Sequence, residues 1–208
     1  MTEKNFYVLK YTDKNAGCPT FLSAELTPSE TEWELFVPNP FNINIKNKYI
    51  LKIIDPDIEN IAFDMDSSDQ KYVSKQFLNV CDSLSISYRA IPLEILFTDG
   101  RKTTKDYFFF LPGKNIELLD RKKSSFKEEK VLGSNQTEMN GVFPSCPIYS
   151  KIERFVPVQT YTENLFFCIE IFEIVCTESF RKIALQKNLI GIDFLPIDED
   201  YQYNPWNE

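Results

Sequence analysis

The sequence predicts an α+β fold, mostly antiparallel sheet with a few short helices. Three observations carry this prediction. Apolar runs of strand length, many alternating with polar residues, outnumber the helical patterns. The helical patterns are inserted between strands instead of alternating strictly with them, which disfavours a doubly wound parallel sheet. Finally, residues 164–197, NLFFCIEIFEIVCTESFRKIALQKNLIGIDFLPI, read as a buried strand, a short amphipathic helix opening on Thr177 and a strand closing on Pro196-Ile197. A fainter copy lies at 73–93, VSKQFLNVCDSLSISYRAIPL. Laying Phe77 on Phe180 places Ser74 on Thr177, Val80 on Ile183 and Cys81 on Ala184, so two related helix–strand units are expected, at 73–93 and 176–197.

Taken in order, FYVLKYT (5–11) alternates well enough to open the chain as a strand, and 12–31, with Gly17, Pro19 and Pro28, reads as an irregular connection. WELFV (33–37) and YILKII (49–54) read as strands on either side of a loop punctuated by Pro38 and Pro40. Ser74 suits a helix N-cap, because its hydroxyl can accept from a free amide of the first turn. Phe77, Val80, Cys81 and Leu84 then follow at i, i+3, i+4 and i+7, one helical face. ISYRAIPLEILF is β-like, with Pro92 implying an edge or a bulge. Asp99-Gly100 marks a hairpin turn into DYFFFL (106–111), and Pro112-Gly113 a turn before NIELLD (115–120). The basic stretch 121–130 and the polar residues up to Gly141 read as a loop or hairpin; FPSCPIY (143–149) fits no element. In the second unit Phe180, Ile183, Ala184 and Phe194 are expected inside, with Asn188 or Gly191 ending the helix in a left-handed conformation.

A chain of 208 residues suits a single domain, with two closely packed lobes at about 1–120 and 121–208 as the alternative. Its 18 Phe and 10 Tyr supply ample apolar surface for a core. The net charge of −8 is repelled by phosphate backbones and anionic lipid, which argues against nucleic acid and membrane as partners and for a basic protein. Five cysteines without a CxxC pair read as free buried thiols in a reducing compartment, and no apolar leader follows the first lysines, so a cytoplasmic location is expected. No run approaches the roughly eighteen apolar residues that a membrane span needs.

Histidine is absent, which removes Ser-His and Cys-His nucleophile pairs and every His-containing zinc site. The six glycines form no phosphate-cradling loop. Cys176 precedes a helix N-terminus, but without a histidine partner a packed thiol is the better reading. Residues 55–69, DPDIENIAFDMDSSD, form the most acidic window, yet they lack the glycine and terminal glutamate of a calcium loop. An enzyme working through carboxylates alone, or with a divalent metal, is the alternative class; no residue set singles it out, and no catalytic residue, metal or cofactor is assigned.

Three segments can be compared with a known family: YVLK (7–10), KNIELLDRKKSSF (114–126) and CTESFRKIALQKNLIGIDFLPI (176–197). Together they resemble a bacterial immunity-protein family, the eleventh immunity family of polymorphic toxin systems. Its members share a Y-x-V-L-K-like opening strand, a central (V/I)-x-x-x-D-x-x-x-S segment and a closing helix–strand unit. The closing unit is matched by Thr177, Phe180, Arg181, Ile183, Ala184, Gly191, Ile192, Phe194, Pro196 and Ile197, while Cys176-Thr177 replaces the family's aliphatic-Ser pair. The resemblance implies a cytoplasmic protein, not an enzyme, that binds and neutralises a cognate toxin domain. An acidic surface suits a basic toxin such as a nuclease. The expected contact residues are Asp55, Asp57, Glu59, Asp64, Asp66 and Asp69 of the acidic window and Asp198, Glu199, Asp200, Tyr201, Tyr203 and Trp206 of the tail, the aromatics as anchors.

Overall fold

Several runs in which apolar side chains recur every second residue form sheets in the structure, a computed structural model describing residues 4–205. The chain divides into two compact units. One takes the residues up to Leu9, Lys114–Arg181 and those from Phe194 onward; the other takes Lys10–Gly113 and Lys182–Asp193. The fold is α+β, as predicted, with mostly antiparallel sheets and two α-helices among the described residues.

In the unit centred on Lys10–Gly113, five strands order as β2 (Ala24–Thr27), β3 (Tyr49–Ile53), β5 (Tyr88–Leu96), β6 (Tyr107–Pro112) and β4 (Tyr72–Ser74). All neighbours are antiparallel except β3 and β5. The inward residues Tyr49, Leu51, Ile53, Ile91, Leu93, Ile95 and Phe109 are buried in one core. Trp33 joins them, its ring edge-on to Tyr49 and Phe109 at 5.3 and 5.1 Å. The expected strand at 33–37 does not form: only Trp33 of that run is buried and no alternation follows, the indole joining the core of the sheet. Conversely, β2 forms inside the stretch read as irregular. Pro92 lies in a central strand, not at an edge; it stands one residue ahead of Leu93, where pairing with β3 begins, opposite Phe108 of β6.

The other sheet orders as β12 (Ile192–Pro196), β1 (Phe6–Tyr11), β11 (Glu173–Thr177), β10 (Leu165–Cys168) and β7 (Asn115–Ile116). A separate hairpin pairs β8 (Ser125–Glu128) with β9 (Tyr149–Arg154). Residues 164–176 are a hairpin, β10 antiparallel to β11, and not the single strand the pattern implies. No glycine, proline or asparagine marks its turn; Phe172 makes it, at φ 54°.

The two helix–strand units are real and equivalent. Helix α1 (Lys75–Ser83) links β4 to β5 with β6 between them; α2 (Glu178–Gln186) links β11 to β12 with β1 between them. Ser74 lies opposite Tyr107 at the first residue of β6, as Thr177 lies opposite Phe6 at the first residue of β1. The Lys75 N–H donates to the Asp106 carbonyl and the Glu178 N–H to that of Asn5. Both helices then stop on a left-handed residue, Ser85 at φ 52° and Asn188 at φ 53°. In each, the next amide reaches back five residues at 3.0 Å, Ile86 to Cys81 and Leu189 to Ala184, a Schellman closure. Phe77, Cys81, Phe180 and Ala184 are buried, whereas Leu84, Ile183 and Phe194 are only half-buried.

Candidate functional site

The acidic window is not one surface. Ile61, Phe63 and Met65 alternate inward, yet Asp64 and Asp66 between them are also buried, at 0% and 4% exposure. Burying a carboxylate costs several kcal/mol unless partners replace its water, and partners are present. Asp64 accepts the Ser74 hydroxyl at 2.5 Å, the Lys105 ammonium at 2.7 Å and the Ile190 N–H at 2.8 Å. The Ser74 oxygen in turn accepts the Phe77 N–H at 3.1 Å, capping α1 as the sequence predicts. A serine beside a lysine and a carboxylate could be a nucleophile with its base. Here the serine is wholly buried and both of its hydrogen-bonding roles are taken, so the trio locks β4, α1 and the 190 loop together.

Asp66 accepts the Ser68 and Tyr72 N–H groups at 3.1 and 2.6 Å, closing the turn into β4. Burial pushes its carboxyl up to about 6, against the opposing pull of those hydrogen bonds and of Lys71. Asp64 and Asp66 are therefore internal, and the expectation that they face a partner is corrected.

What remains on the surface of this unit is Asp55, half-buried, with Asp57, Glu59 and Asp69 exposed. Asp55 accepts the Asp57 N–H at 2.9 Å and so shapes its own turn. Directly before Asp55 stands Ile54, 46% exposed, and its N–H donates to the Ser23 carbonyl at 3.0 Å. Two residues before Ser23 lies Phe21, 76% exposed. The β2–β3 register thus brings an exposed aromatic and an exposed aliphatic side chain to the end of the sheet from which the acids depart. Neither Phe21 nor Ile54 was singled out from the sequence. The available signals were a phenylalanine in a Pro/Gly/Ser/Thr-rich connection and the break in alternation at Ile53-Ile54.

In the other unit, Asp198, Glu199 and Asp200 are exposed. The tail aromatics are not free anchors: Tyr201 is buried with its ring edge-on to Phe155 at 6.0 Å, and Tyr203 exchanges both backbone hydrogen bonds with Ile152. Tyr201 is packed on the tail's own unit, which corrects the expectation that it is an exposed anchor, while Tyr203 is half-buried. Trp206 lies outside the described residues.

All five cysteines are buried and none is in a disulfide. Burial pushes the Cys146 thiol up to about 12 and that of Cys168 well above its ordinary value, the latter helped by Glu170, to which it donates at 3.2 Å. Glu170 is itself raised by burial, although it accepts the Leu119 N–H at 2.7 Å. Neither thiol is set up as a nucleophile. Among the described residues no group of three or more Cys, Asp or Glu is arranged to hold a metal ion, and no helix is long and apolar enough to cross a membrane.

No curated protein matches the chain. The family model of Immunity protein 43 matches residues 26–207, across both helix–strand units and the acidic window. The resemblance drawn from the sequence is to the eleventh immunity family; the immunity-protein assignment holds, and the matching model is that of the forty-third. The chain belongs to the Immunity protein 43 family, whose name implies a protein that neutralises a toxin.

Proposed function

We propose that this chain neutralises its toxin by binding the toxin domain directly, in the cytoplasm of a bacterium carrying a polymorphic toxin system, without enzymatic activity of its own. The observation that carries this reading is the exposure of Phe21 and Ile54 at the β2–β3 end of the sheet, close along the chain to the acids Asp55, Asp57 and Glu59, on a protein of net charge −8. Such a surface fits a basic toxin such as a nuclease, whose nucleic-acid cleft it would occupy while long-range attraction speeds the encounter. Five reduced, buried cysteines fit a reducing compartment. The alternative, a carboxylate- or metal-dependent hydrolase, loses its best-placed acids, because Asp64 and Asp66 are sealed inside by their own partners.

The test is co-expression with the toxin domain encoded by the adjacent reading frame. Growth should be rescued and the two proteins should co-purify. Rescue without a complex would contradict direct binding, and absence of rescue would contradict the toxin assignment.

A further inference from the structure

We propose that the toxin docks on the free edge of β2 by adding one of its own strands to this sheet, with Phe21 as the anchor; this rests on the toxin-binding reading above. Strand β2 ends the order β2-β3-β5-β6-β4. The bond from the Ile54 N–H to the Ser23 carbonyl fixes the phase of the antiparallel ladder. Continued along the register, Glu25 faces Lys52 and Thr27 faces Ile50 as hydrogen-bonded pairs. Ala24 and Leu26 are then the residues whose N–H and C=O point away from the sheet. An open edge of this kind is a template for strand addition, and proteins usually block it with lysine, proline or a bulge. Within Ala24–Thr27, AELT, there is no lysine, proline or register shift, and Pro28 directly after it bounds the open edge to these four residues.

Isolated exposed apolar residues need no explanation. Here two of them, Phe21 and Ile54, flank one end of an open edge. Glu25 and the acids 55–59 give that edge its charge, opposed by Lys52 across the ladder and by Arg101, which is paired with Asp99 at 2.6 Å. A second copy of this chain would set acid against acid, whereas a basic toxin strand meets opposite charge and a hydrophobic anchor point.

The experiment measures binding of the purified chain to the toxin domain of the adjacent reading frame, held in a catalytically inactive form. Ala24→Pro deletes an outward N–H, a change that an edge strand tolerates; Phe21→Asp removes the anchor without touching the core. Each should weaken binding by about tenfold or more while melting stays within a few degrees of the parent. Glu25→Pro, which deletes an inward N–H, should instead lower the melting temperature. Unchanged affinity in both Ala24→Pro and Phe21→Asp would overturn the edge while leaving the toxin reading intact. No binding by the parent chain would overturn both. A self-associated dimer that Ala24→Pro dissolves would assign the edge to a second copy and overturn the proposal; if Ala24→Pro does not fold, Phe21→Asp decides alone.

Discussion

Asp64 ties together three stretches of its unit that are far apart in sequence, its carboxylate holding a serine hydroxyl, a lysine and a backbone amide. Asp64→Ala leaves the Ser74 hydroxyl and the Ile190 N–H without their acceptor and the partly exposed Lys105 ammonium with only the Ala62 carbonyl, so we expect a loss of about 2–4 kcal/mol in denaturant unfolding. Asp57→Ala, on the surface, should stay within about 0.5 kcal/mol of the parent. Asp66 makes a pH prediction. Its folded value is raised above that of the unfolded chain, so between about pH 4 and pH 6 the folded state holds the extra proton. This group's contribution to stability therefore falls as pH rises through that window and levels off above it. Asp66→Asn should flatten that fall in urea titrations run from pH 4 to 7. Composition makes the acid density of 55–69 obvious, but nothing local separates Asp64 and Asp66 from Asp57 and Glu59. The burial of Asp64 depends on Ser74, Lys105 and Ile190, which only the fold brings near, whereas Asp66 is satisfied by the Ser68 and Tyr72 N–H groups of its own turn.

The helix–strand units are where the sequence speaks most clearly. The apolar spacing of Phe77, Val80 and Cys81, the Ser74 cap and the parallel with Thr177 and Phe180 all rest on local rules. The structure adds that both helices close on a left-handed non-glycine residue. A serine in that conformation pays roughly 1 kcal/mol, whereas asparagine bears it better. Ser85→Gly should accordingly raise unfolding stability by up to about 1 kcal/mol, and Asn188→Gly by less; equal or opposite effects would contradict the closure described. Ser74→Ala should cost at least about 1 kcal/mol, because it also takes a donor from Asp64. Elements held by distant partners were not legible. Strand β2 exists because β3 pairs with it, the Phe172 turn carries no turn residue, and 33–37 forms no strand although its Trp33 joins the core.

At the scale of the whole molecule, the immunity-family assignment was readable because the closing segment 176–197 carries the core and cap positions of a repeated unit. The proposed docking surface was legible only in part: the acids at 55–59 were, while Phe21 and Ile54 emerge from strand register. A net charge of −8 with acids beside an apolar edge predicts association whose rate falls as salt is raised. The combined variant Asp57→Lys and Glu59→Lys, which spares the turn-forming Asp55, should slow association at low salt by about tenfold and leave melting within a few degrees of the parent. The most direct measurement titrates the purified chain into the active toxin domain of the adjacent reading frame, following toxin activity and complex formation together. Direct binding predicts that activity disappears in step with a stoichiometric complex. Full toxin activity under excess chain, or inhibition with no complex formed, would contradict it.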